Sequence, residues 1–68
     1  MGITLKEYLE LNKDNEELNR ICLMEFDGDS VESKEYDRQR FIKIKDEDLV
    51  KEVMDLVQED DLMEVWVM

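Results

Sequence analysis

The sequence predicts a small α+β domain of order α-β-β-α-β, a three-stranded sheet packed by two helices. Three observations carry this. The chain has 68 residues, room for a single domain over residues 1–68. Its apolar residues fall in separate blocks, some with helical spacing and some short enough for strands. Clusters of Asp, Asn, Ser and Gly divide the blocks, and there is no Pro and no linker-like stretch.

The first helix begins at Ile3-Thr4-Leu5-Lys6-Glu7-Tyr8. Thr4 stands as N-cap with Glu7 three residues on, and Ile3 and Tyr8 occupy the positions of a hydrophobic staple. Leu5, Tyr8 and Leu9 then share one face. The helix should end near Leu11 or Asn12, with a turn over residues 12–15. Ile21-Cys22-Leu23-Met24 is a run of four apolar residues followed by Glu25 and Phe26. Asp27-Gly28-Asp29-Ser30 directly after it is turn chemistry, so residues 20–26 read as a strand. Residues 31–37 are polar and read as a long, weakly ordered loop. Residues 38–45 read as a second strand, antiparallel to the first, with Ile42 and Ile44 on one side and Phe41, Lys43 and Lys45 on the other.

Asp46 is placed to cap the clearest helical pattern in the chain. Leu49, Val50, Val53, Met54, Leu56 and Val57 lie on one broad face at about 100° per residue, and Gln58-Glu59-Asp60-Asp61 closes it. Residues 62–68 form the last strand, with Met63, Val65 and Val67 on one side and Leu62, Glu64, Trp66 and Met68 on the other. A βαβ step of this kind is expected to cross over right-handed.

Charge narrows the function. Twenty Asp and Glu stand against nine Lys and Arg, with no His, a net charge of −11. Direct nucleic-acid binding is disfavoured, because phosphate contacts need clustered cations. The charged fraction is 43%, far above the ~25% of ordinary domains, yet the apolar fraction is also 43%. The chain therefore reads as folded and not as an acidic disordered tail. No run approaches the ~18 apolar residues of a membrane span. One Cys and the lack of a visible signal segment point to the reducing cytoplasm. So small a core, without a disulfide or zinc staple, makes a homodimer one way to add buried area.

The candidate contact site lies on the second predicted helix. Asp48, Glu52, Asp55 and Glu59 are spaced 4, 3 and 4, opposite the apolar face, with Asp60 and Asp61 extending the row. Four charges along ~16.5 Å of helix axis approach the line density of one DNA strand, a phosphate per ~3.4 Å. Like charges at i,i+4 disfavour a helix by ~0.2–0.5 kcal/mol per pair, so stability alone does not ask for the row. Small, folded, strongly acidic chains of this kind resemble in composition the phage-encoded protein mimics of DNA. Those inhibit restriction enzymes, repair glycosylases or CRISPR effectors by occupying a basic channel. The resemblance is one of composition, with no family motif beside it. It implies an inhibitor from a phage or mobile element whose partner is a basic, nucleic-acid-binding protein. The alternative is an accessory or oligomerising protein that joins its partner through an apolar surface of Phe41, Trp66 and Met68, the acid serving solubility.

Other chemistry is weakly supported. Arg38, Arg40, Lys43 and Lys45 are four cations without an acid among them, expected to pair with acidic neighbours. Read as a calcium loop, Asp27-Gly28-Asp29 fails at Val31, Glu32 and Arg38. No metal site or cofactor is expected. There is no His for proton transfer near neutral pH, Cys22 lies in an apolar run, and no carboxylate pair has a setting that would tune its pKa. The chain is not expected to be an enzyme, and no catalytic residue is assigned.

Overall fold

Two tight turns organise the chain into a pair of hairpins. The computed structural model describes residues 2–68. Strands β1 (Arg20–Asp27) and β2 (Ser30–Asp37) pair antiparallel around Gly28-Asp29. Strands β3 (Val53–Glu59) and β4 (Leu62–Val67) pair antiparallel around Asp60-Asp61. A parallel pairing of β1 with β4 joins the hairpins into one mixed sheet of order β2-β1-β4-β3. Gly28 has φ +63 at the first turn position, a conformation that glycine adopts without strain.

Helix α1 (Leu5–Leu11), a 3₁₀ segment (Arg38–Lys43) and the short α2 (Asp46–Leu49) cover one face of this sheet. The core lies between these layers. It is built from Leu5 and Tyr8 of α1, Ile21 and Leu23 of β1, Val65 and Val67 of β4, and Val53, with Leu18 and Ile44 from the connections. The capping box forms as expected. Thr4 Oγ1 accepts from the Glu7 amide at 3.2 Å, and Glu7 Oε1 accepts from the Thr4 amide at 3.3 Å. No helix among the described residues is long and apolar enough to cross a membrane.

The expected three-stranded sheet packed by two helices is corrected to four strands with little helix. Three local readings account for the difference. Residues 31–37 are a strand and not a loop. They form a sheet edge, where only Tyr36 needs to pack on the core and charged side chains guard the free backbone. Residues 38–45 are not a strand. The β1 edge is already taken by β2, and the Asp37 carboxylate caps a 3₁₀ turn by accepting from the Arg40 amide at 3.0 Å. Ile42 is 89% exposed while Ile44 is buried, so the expected shared face does not exist.

The third correction bears on function. The predicted helix from Asp46 stops at Leu49, and Val53–Glu59 is strand β3. A β-bulge between Val53 and Asp55 inserts one extra residue, which puts Val53 and Leu56 on the core face three residues apart. That spacing imitates a helix. Val50, Met54 and Val57, placed on the same predicted apolar face, are exposed. The hairpin with β4 also separates carboxylates that a helix would stack at i,i+4.

Candidate interaction surface

Because side chains alternate along a strand, the registers fix what the second face of the sheet presents. Across β2, β1, β4 and β3 its rows run Asp37, Arg20, Leu62, Glu59; then Glu35, Cys22, Glu64, Val57; then Ser33, Met24, Trp66, Asp55. Phe26 and Val31 pair in a further row next to the β1–β2 turn. Among the described residues no element forms a second layer here. Phe26 is 68% exposed, and Val31, Met54, Val57 and Met68 are exposed as well.

The face is graded. At one end Phe26 and Trp66 stack with ring centroids 5.3 Å apart and planes tilted by 36°. Met54 and Met68 join them around a groove of about 300 Å³. The bulge produces this grouping, since it turns Met54 away from the core beside Trp66. Toward the other end lie Glu35, Asp37, Glu59 and Glu64, and with Asp55 beside Trp66 the face sets five carboxylates against a single cation, Arg20. Arg20 is held by Glu35 at 2.5 Å and by Asp61 at 3.8 Å. Glu64 and its neighbour Asp60 raise the pKa of Glu59 above the usual carboxylate range. Burial raises the Cys22 thiol, and Glu35, Glu64 and Glu59 push it further the same way. Cys22 is therefore a poor nucleophile, a small buried side chain under an acidic surface.

The row of carboxylates expected on a helix is not formed. Asp48 is 1% exposed and lies on the covered side of the sheet, in α2. Its Oδ1 accepts from Lys51 Nζ at 2.8 Å, its Oδ2 lies 3.6 Å from Lys34 Nζ, and Lys51 Nζ also reaches Glu25 Oε2 at 2.6 Å. The hydrogen bond from Lys51 holds the Asp48 carboxyl below the usual range, against the opposing effect of burial. Glu52 sits ahead of β3, where its backbone pairs with Met68 and bridges to Thr4. Asp55 and Glu59 share the open face, and Asp60 and Asp61 form the turn beside it. Of the apolar trio, Trp66 and Met68 border the open groove, whereas Phe41 packs against the core on the covered side.

Phe26, Met24, Met54 and Glu64 lie on or beside this surface but outside the contact residues predicted from the sequence. A signal for the first two was present. Four apolar residues in succession and then Phe26 make both faces of β1 apolar, which marks a central strand whose second face needs a partner. Met54 was legible only through the bulge.

The expected internal pairing of Arg38, Arg40, Lys43 and Lys45 takes a different form. Arg38 donates to the backbone carbonyls of Asn15 at 2.5 Å, Leu18 at 3.1 Å and Lys13, fixing the loop before β1. No ion pair involves Arg40, Lys43 or Lys45 among the described residues. Groups of three or more residues able to hold a metal ion are absent among the described residues. The chain matches no family model, no curated protein and no solved structure.

Proposed function

We propose that this chain is an acidic binding protein whose contact surface is the open face of its sheet, and that its partner is a protein with an apolar patch bordered by Lys and Arg. One observation carries this reading: an exposed Phe26 stacked on a half-buried Trp66 and a group of carboxylates are contiguous on a face that no other element covers among the described residues. Charge and apolar area then act together. The carboxylates steer and orient a basic partner, and the Phe26–Trp66 end supplies the desolvated anchor. A nucleic-acid-binding protein has such a basic surface, and covering it would inhibit it.

A second copy fits this face poorly. Each copy brings −11, and stacking two open faces sets five carboxylates against five with only Arg20 on each side. Four strands at ~4.8 Å spacing and ~23 Å in length project roughly 450 Å², less than the ~800 Å² per partner of a standard interface. The turn carboxylates Asp60 and Asp61 lie beside this face and extend the acidic surface offered to a partner.

The test is capture from a lysate of the encoding organism at about 0.05 and 0.5 M salt. It uses the native chain, Trp66→Ser, the pair Glu59→Gln and Glu64→Gln, and Lys43→Ser on the opposite side. The expected partner is basic, is held by the native chain and by Lys43→Ser, and is lost from the other two and at high salt. The same proteins on all four baits would overturn the proposal.

A further inference from the structure

We propose a second site of opposite chemistry: the groove between α1 and the 3₁₀ segment binds a small amphiphilic anion, one acidic head group on an aliphatic or aromatic body. The groove is about 400 Å³, within the ~300–1,000 Å³ of small-molecule sites. Leu9, Phe41 and Leu49 form its half-buried apolar wall, and Ile42 stands exposed at its rim. Lys6, Lys13 and Arg38 line it against one carboxylate, Glu10.

That balance is unusual in this molecule. Acids outnumber cations by twenty to nine, so most cations should find a carboxylate. Arg20, Lys34 and Lys51 do. Among the described residues the other six cations form no ion pair, and three of these six, Lys6, Lys13 and Arg38, are gathered on this one groove. Arg38 also organises the site. Its guanidinium donates to the carbonyls of Lys13, Asn15 and Leu18, which pins the turn carrying Lys13 to the groove edge. The occupant is a singly charged amphiphile and not an acidic protein, because a polyanion is repelled by the net charge of −11 while one head group meets mainly its three near cations.

The test is a titration with decanoate below its micelle concentration, followed by NMR of the native chain, with decanol as the uncharged comparator. The expected result is saturable one-to-one binding that shifts Leu9, Phe41 and Leu49, and a decanoate affinity at least ~10-fold lower in the Lys6→Gln, Lys13→Gln variant. Both lysines are exposed, and dispersed spectra of that variant verify its fold. Decanol should bind more weakly to the native chain and equally to both chains. Equal affinities for decanoate and decanol, shifts confined to Phe26, Trp66 and Met54, or no saturable shift would each overturn the proposal.

Discussion

Replacing Lys51 with Met exposes the energetics of the charge cluster on the covered side. Lys51 Nζ lies 2.8 Å from Asp48 and 2.6 Å from Glu25, and the Asp48 side chain is 2% exposed. Removing one partner of a fully buried pair costs about 3–5 kcal/mol, because the remaining charge stays buried without compensation. Two features reduce that figure. The Lys51 side chain is 25% exposed and that of Glu25 is 30% exposed, so solvent already screens part of the interaction. Lys34 remains 3.6 Å from the other Asp48 oxygen. A loss of about 2–3 kcal/mol follows. With a urea slope of about 1 kcal/mol/M for so small a chain, the midpoint should fall by roughly 2–3 M. Urea unfolding followed by circular dichroism reads this. The pair Asp48→Leu and Lys51→Met should lie nearer the native chain than Lys51→Met alone, since apolar replacement of both partners is often neutral. A loss below about 0.5 kcal/mol for Lys51→Met would refute the reasoning, placing the pair among surface bridges.

The sign of the pH dependence is fixed by the same groups. The Asp48 pKa is depressed in the fold, so its contribution is present above the ordinary carboxylate value and is lost as pH falls through the depressed one. The Lys51 pKa is raised by Asp48 and Glu25, so its contribution is complete below the ordinary lysine value and is lost only as pH rises through the raised one. The Glu59 pKa is raised by Glu64, so lowering pH from 7 toward the raised value should add stability, and Glu64→Gln should flatten that rise in urea midpoints taken across pH. Asp60 holds φ +48 in the β3–β4 turn, so Asp60→Gly should be neutral or slightly stabilising while the β-branched Asp60→Val should cost about 1–2 kcal/mol in thermal melts. Arg38→Ala should cost about 1–3 kcal/mol and speed proteolysis within residues 13–18, because backbone carbonyls lose a charged donor. Trp66→Ser should keep the native circular dichroism, while Leu5→Ala, which empties a fully buried site, should cost about 2–5 kcal/mol in the same melts.

Elements with their own local chemistry were legible in the sequence. The Thr4–Glu7 box sets the start of α1, and the apolar run before Asp27-Gly28 sets β1, so both were read within a residue. Elements whose identity depends on a distant partner were not. Ser30–Asp37 is a strand because β1 offers it an edge, although its own side chains are almost all polar. Val53–Glu59 follows a helical spacing because a bulge breaks its alternation, and pairing with β4 decides its form. The site followed the same division. Trp66 and Met68 were placed together on one side of a correctly read strand. Asp48 was assigned to a solvent-facing row that disappears once the helix ends at Leu49, and its carboxylate turns inward to Lys51. The acidic end of the surface needs the register of four strands, which no single segment encodes.

Trp66 is the sole tryptophan and reports directly on the second face of the sheet. Its emission, quenched in parallel by cesium and by iodide at matched ionic strength, tests whether that face is open and electronegative. A half-buried ring open to solvent on the face that carries Asp55 and Glu64 predicts an emission that does not change with protein concentration and stays accessible to quencher, with quenching markedly stronger by the cation than by the anion. A blue-shifted spectrum resistant to both ions, or equal quenching by the two, would contradict an acidic, open contact surface.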